Sequence, residues 1–107
     1  MDIFELIAVA KAKKASDLHL SVNSLPLIRV NSQLTPIENT TPLTRDDLQN
    51  AFMQIASLAG LEKFQNTHEL DFKYTMPDGT NLRCNAAQER GQLSLSIRIL
   101  SYVIKTI

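Results

Sequence analysis

Between residues 69 and 99 the chain alternates apolar with polar side chains three times over, with a short turn-rich break between runs. Leu70, Phe72 and Tyr74 alternate with Asp71, Lys73 and Thr75. Leu82, Cys84 and Ala86 alternate with Arg83, Asn85 and Ala87, and Leu93, Leu95, Ile97 and Ile99 with Ser94, Ser96 and Arg98. A period of two is the signature of a strand with one buried face. Pro77-Asp78-Gly79 turns the chain after the first run and Glu89-Arg90-Gly91 after the second, so the three runs form two consecutive hairpins. Such a sheet carries one apolar face that other elements have to cover, which points to an α+β domain with helices packed on one face.

The rest of the chain supplies that cover. Ile3, Leu6, Ile7 and Ala10 recur at helical spacing, with Asp2 and Glu5 placed for a capping box and Lys11, Lys13 and Lys14 at the end where the helix dipole favours cations. A second helix is expected from Thr44 as cap through Asp46 and Asp47, with Leu48, Ala51, Phe52, Ile55 and Leu58 as its buried stripe and Gly60 as its stop. A short helix over 61–65 then donates Leu61 and Phe64 to the core. Between the helices, Leu18, Leu20 and Val22 alternate with His19 and Ser21, Asn23-Ser24-Leu25-Pro26 reads as a turn, and strands over 27–30 and 33–37 flank the two-residue link Asn31-Ser32. Serine accepts positive φ less readily than glycine, so this link is expected to be strained or of another type.

At 107 residues the chain suits one domain with one core. Eleven basic and eleven acidic side chains cancel, so no global field draws nucleic acid or a membrane surface and any anion site has to be local. A single cysteine, Cys84, has no internal disulfide partner and points to a reducing compartment. The acidic start, Asp2 and Glu5, lacks the basic region of a secretory signal, and no apolar run approaches the ~20 residues of a membrane span. These features predict a cytoplasmic location. Two distant histidines and one cysteine give no metal spacing. With glycine at 60, 79 and 91 alone, no phosphate-binding loop of the form G-x-x-x-x-G-K-[ST] can be built, and the chain by itself is not expected to be an enzyme. A serine, histidine and aspartate at 16, 19 and 17 have no nucleophile turn to support them.

Chemistry concentrates in the last hairpin. Leu82, Cys84 and Ala86 face inward, so Arg83 faces out; Ile97 and Ile99 face inward, so Arg98 faces out. A loop over 89–92 pairs 88 with 93 and 83 with 98, whereas a loop of Glu89 and Arg90 alone shifts Arg98 by two positions. Either register puts both guanidinium groups on the outer surface. Like charges so placed repel by about 0.2–1 kcal/mol, and the planar guanidinium fork matches phosphate oxygens. The pair therefore reads as half of an anion site, with Arg90 at the loop tip as an extension. The plainer alternative is solvated strand arginines paired with Glu69 or Asp71 on the neighbouring strand.

Two stretches carry a family resemblance. Ala15-Ser16-Asp17-Leu18-His19-Leu20, followed by Leu25 to Leu34, resembles the opening of PilT-type twitching-motility ATPases of the hexameric secretion ATPase superfamily. The run from Leu82-Arg83-Cys84-Asn85-Ala86 through Gln88-Glu89-Arg90-Gly91 to Ile97-Arg98-Ile99 resembles that family's R-x-N…R-G…R-I pattern, with the outer arginines 98 − 83 = 15 residues apart. Cys84 stands where valine is commoner, and Ser32 where glycine is.

The resemblance covers essentially the whole chain. It implies a PAS-like antiparallel sheet over 1–100, with 101–107 beginning a linker to a RecA-like ATPase domain not contained in this sequence. It implies that Arg83 and Arg98, and more weakly Arg90, reach nucleotide phosphates held by that domain in a ring, as arginine fingers do. ATP and Mg²⁺ would be the cofactors of the full-length protein, with none in this chain.

The implied partners are the RecA-like domains of its own and the neighbouring subunit, a homo-hexamer, and pilus machinery at the inner membrane, with the protein peripheral to that membrane. No nucleic-acid partner is implied. Asp17, His19 and Arg29 are candidate interdomain or subunit contacts. Asp17 is also placed to accept backbone N–H bonds where helix gives way to strand; His19 reads more simply as an ordinary surface histidine, and Arg29 reads equally as a solvated arginine. Type II secretion and pilus-extension ATPases share the architecture and rank second, because the chain starts almost at once with its first helix. A PAS-like small-ligand sensor would need a hollow, partly polar core, whereas the inward positions here are mostly Leu, Ile, Ala and Phe. A plain scaffold module is the third class.

Overall fold

The chain runs α1 (Ile3–Ala12), β1 (Asp17–Ser21), β2 (Leu27–Val30), β3 (Gln33–Pro36), α2 (Arg45–Ile55), α3 (Leu58–Thr67), β4 (Glu69–Thr75), β5 (Asn81–Glu89) and β6 (Gln92–Ile99). This is a computed structural model, and it describes residues 2–100; the expected linker over 101–107 lies outside the described residues. All six strands join one antiparallel sheet in the order β3-β2-β1-β6-β5-β4. The expected meander is β4-β5-β6. The N-terminal strands add to it through one seam, β1 against β6, where Leu18 lies opposite Ile97 and Leu20 opposite Leu95.

The period-two pattern sorts the two faces as expected. Leu18, Leu20, Ile28, Leu70, Leu82, Cys84, Ala86, Leu95 and Ile97 are buried together with Ile3, Leu6, Ile7 and Ala10 of α1 and Leu48, Ala51, Phe52 and Ile55 of α2. Leu61 and Phe64 of α3 pack against this core half-buried, and Phe52 meets the Phe64 ring edge-on with centroids 5.0 Å apart. Burying Cys84 raises its thiol pKa to about 12, so the sulfur packs as a neutral apolar group. The opposite face carries the polar set.

Local chemistry accounts for most helix ends. Thr44 Oγ1 accepts the Asp47 N–H at 3.1 Å while the Asp47 carboxylate accepts the Thr44 N–H at 2.8 Å, a complete capping box for α2. The box expected at α1 does not form: Asp2 occupies the cap position with its side chain unengaged. Backbone bonding from the Leu6 N–H to the Asp2 carbonyl and the burial of four apolar side chains hold α1 instead.

Gly60 departs from its expected role. It lies inside α3, not at the end of α2, and Leu58 is 82% exposed rather than part of the α2 stripe. Ser57 explains both differences, because its hydroxyl accepts the Gly60 N–H at 3.0 Å and starts a new helix. A Cβ on residue 60 would stand 3.0 Å from Leu70 Cδ2. Glycine there lets α3 approach β4.

The Asn31-Ser32 link is a two-residue turn with φ of 51° and 67°, the left-handed pair that matches strand twist. Ser32 thus holds the conformation its side chain disfavours. Ser32→Gly is expected to raise stability by about 0.5–1 kcal/mol, the αL strain relieved less the extra chain entropy of glycine. Urea unfolding checks this, and an unchanged or lower midpoint contradicts it.

Lys11 anchors the end of α1 to the β4–β5 turn. Its ammonium group pairs with Asp78 and donates to Thr80 Oγ1 at 2.8 Å, while Asp78 also accepts the Thr80 N–H at 2.9 Å. The Lys11 bond, then that from Thr80, holds the Asp78 carboxyl well below the usual carboxylate range. The Thr44 N–H similarly lowers Asp47 from the ordinary 3.8. Both folded-state values lie below the unfolded one. Their stabilisation is therefore complete above pH 3.8 and is lost as pH falls through the lower folded values. Thermal melts are expected to show no change from these two groups between neutral pH and pH 5, then a fall below pH 3.8 that Asp78→Asn makes shallower. An equal fall in the variant would contradict the assignment.

Candidate functional site

One rung of charged residues crosses the outer face of the sheet from the edge strand β4 to β2, next to the other edge. Lys73 on β4 lies opposite Arg83 on β5, Arg83 opposite Arg98 on β6, Arg98 opposite Asp17 on β1, and Asp17 opposite Arg29 on β2. Neighbouring strands are about 4.8 Å apart, so four cations and one carboxylate are held side by side. Inward parity at Leu82, Cys84, Ile97 and Leu18 forces every member of the rung to the same surface.

The register equals that of the longer of the two expected loops, with Gln88 opposite Leu93, but the turn is tighter. Glu89 pairs with Gln92, and Arg90-Gly91 alone turn the chain with φ of 52° and 79°. Arg90 consequently sits at the hairpin tip, seven residues along the strand from Arg83, which is roughly 23 Å. The structure brings Arg83 and Arg98 together and leaves Arg90 apart.

Carboxylate pairing falls on a residue that the strand pattern did not single out for it. Asp71, expected as a partner for the arginines, accepts from Asn85 Nδ2 at 2.8 Å, and Glu69 faces Ala87. Asp17 takes the role. Its Oδ1 accepts from Arg98 Nε at 3.3 Å, its Oδ2 lies 3.6 Å from Arg29 Nε, and Oδ2 also accepts the Ser16 hydroxyl at 2.8 Å. Side chains, not the backbone N–H groups expected, surround this carboxylate. No local signal could have revealed the pairing, because Asp17 and Arg98 are 81 residues apart. Among the described residues the Arg83 guanidinium has no ion pair or hydrogen bond, and the terminal nitrogens of Arg98 have none either.

Beside the rung is a depression of 240 Å³ lined by Arg83, Arg98, Asp17, His19, Asp71, Asn85 and Ser96. His19 Nδ1 is 3.2 Å from Ser96 Oγ, while its buried Nε2 has no hydrogen-bond partner among the described residues. Arg29 donates from Nη1 to the Ser32 carbonyl at 3.3 Å. Chemically the surface is a shallow cationic platform with two adjacent guanidinium groups, suited to an oxyanion with several oxygens. No group of three or more His, Cys, Asp or Glu side chains that could hold a metal ion occurs among the described residues. No helix among them is long and apolar enough to cross a membrane.

Models of known protein families give no match to the chain. A curated relative, the type IV pilus retraction ATPase PilT of Pseudomonas aeruginosa, is 36% identical over 92 residues, 85% of this chain and 26% of the relative. In a crystal structure of the pilus retraction motor PilT with bound ADP, 98% of this chain superposes on 31% of that chain with a TM-score of 0.88 and 24% identity. The ATPase DotB of Legionella pneumophila superposes over 94% of this chain and 30% of its own with a TM-score of 0.77 and 17% identity, and that of Yersinia pseudotuberculosis scores 0.74 at 14% identity over 91% of this chain and 29% of its own.

Fold and sequence together define the class: this is the N-terminal α+β domain of a secretion ATPase superfamily member. The chain spans under a third of the length of the relatives it matches. Within the superfamily its sequence similarity is to the PilT type.

Proposed function

We propose that this domain serves a hexameric type IV pilus retraction ATPase, as its own assembly and regulatory domain, by presenting Arg83 and Arg98 to ATP bound by a RecA-like domain at a domain or subunit interface. The observation that carries this reading is the direct opposition of Arg83 and Arg98 on an exposed sheet face. Two cations held together at a cost of about 0.2–1 kcal/mol make sense when an anion is delivered between them. The triphosphate, with Mg²⁺, supplies that anion. The ADP-bound motor among the structural matches supports a nucleotide partner.

Charge on the transferring phosphoryl group is then met by donors already in place, which lowers the barrier without reorganisation. Asp17, His19 and Arg29 would face the adjoining domain or subunit. The protein would act in the cytoplasm, docked to pilus machinery at the inner membrane. Arg90, remote from the pair, fits a contact with a neighbouring subunit better than a phosphate contact.

The likeness to DotB favours a second reading, the equivalent domain of a secretion or pilus-extension ATPase. A small-ligand sensor is disfavoured by the tightly filled aliphatic core, since the larger hollows of 420 and 510 Å³ open to solvent. The deciding measurement is ATP turnover by the full-length protein carrying Arg83→Ala or Arg98→Ala. A large loss with folding and ring assembly retained supports the proposal, and parental turnover overturns it.

A further inference from the structure

We infer that Asp17 is a positioning residue that sets the Arg98 guanidinium for phosphate. This rests on the reading of Arg83 and Arg98 as the phosphate-binding pair. Arg98 stands between Arg83 on one strand and Asp17 on the other. Without Asp17 its nearest cross-strand neighbour on the rung would be a like charge, with Lys73 one strand further, and the side chain would be driven away from Arg83.

The contact geometry favours positioning over neutralisation. Asp17 binds Arg98 through Nε, on the inner edge of the guanidinium, with the carboxylate 14% exposed and the Arg98 side chain 68% exposed. Arg29 approaches the same carboxylate by its own Nε at 3.6 Å, so the two guanidinium groups flank one fixed anion. The Ser16 hydroxyl at 2.8 Å holds the carboxylate from a third side. The fork of a guanidinium has five N–H donors. Spending Nε–H on Asp17 leaves both terminal nitrogens without a partner among the described residues, at the rung position opposite the unpaired Arg83. A carboxylate gripping the terminal nitrogens would have occupied the phosphate-binding edge. The local balance also suits the task, because four cations against one carboxylate leave the rung a net cationic site.

The test is a double-substitution cycle on ATP turnover, in the protein expressed from its complete reading frame. Asp17→Asn keeps size and shape while removing the charge. It is expected to lower kcat by about 10- to 100-fold, the effect of a group misplaced by around an ångström. In an Arg98→Ala background the same substitution is expected to change nothing further, because its effect runs through Arg98. Asp17→Glu, which restores a carboxylate, should recover part of the rate, and the melting temperature of each variant separates lost positioning from lost folding.

If Arg83→Ala and Arg98→Ala abolish turnover while Asp17→Asn does not, this inference fails and the phosphate reading stands. Equal losses from Asp17→Asn with and without Arg98 also defeat it. If neither arginine matters, both fall together.

Discussion

Replacing Arg83 by glutamine is expected to lower ATP turnover of the full-length protein by about a thousandfold, near 4 kcal/mol of barrier, while leaving the domain as stable as before. The two effects separate because of what the side chain touches. Arg83 faces Lys73 and Arg98 on the adjacent strands and has no ion pair among the described residues. Removing its charge relieves repulsion of about 0.2–1 kcal/mol and breaks nothing.

Arg98→Gln should cost as much turnover and behave differently in a melt. It strips Asp17 of the nearer of its two guanidinium partners, although a pair with one member 68% exposed is worth at most about 1 kcal/mol. Steady-state hydrolysis beside urea unfolding on the same preparations measures both quantities. Arg83→Gln with parental turnover, or with a clear loss of stability, would remove the ground for treating this arginine as a phosphate contact.

Leu18→Ala is expected to cost about 3 kcal/mol, within the 2–5 kcal/mol of buried leucine truncations. Leu18 is fully buried and lies at the seam of the sheet, opposite Ile28 on β2 and Ile97 on β6. Truncating it opens a cavity where the N-terminal strands meet the C-terminal meander, the one pairing that makes six strands a single sheet. For a domain whose total stability is about 5–15 kcal/mol, that is a large share. Leu34→Ala on the exposed edge strand β3, where the side chain is 46% exposed, should stay within about 0.5 kcal/mol. Urea midpoints compare the two directly. Similar small losses would mean that the seam is not the centre of the core.

Much of the fold was legible before any coordinates because it follows from spacings of two to four residues. Alternation at 70–75, 82–87 and 93–99 identifies strands and their inward faces, and Thr44 followed three residues later by Asp47 marks the start of α2. The same parity places Arg83 and Arg98 on one surface, since each neighbours residues that have to be buried. Where such reasoning failed, a neighbouring cap such as Ser57 or a tertiary contact had intervened. Gly60 resembles a helix stop, yet it is a helical residue whose missing Cβ leaves room for Leu70, ten residues later. Asp2 resembles a cap, yet burial of the apolar face holds its helix without one.

The sequence alone therefore determined the elements, their buried faces, and the emergence of two arginines from the same surface, because backbone period and side-chain polarity are local properties. It also carried the two motifs by which the family is recognised. Tertiary structure alone decided that β1 pairs with β6, and with it that Asp17 sits beside Arg98 across 81 residues of chain. Strand order answers to which apolar faces bury most surface together, a property of the whole assembly that no short window of residues contains.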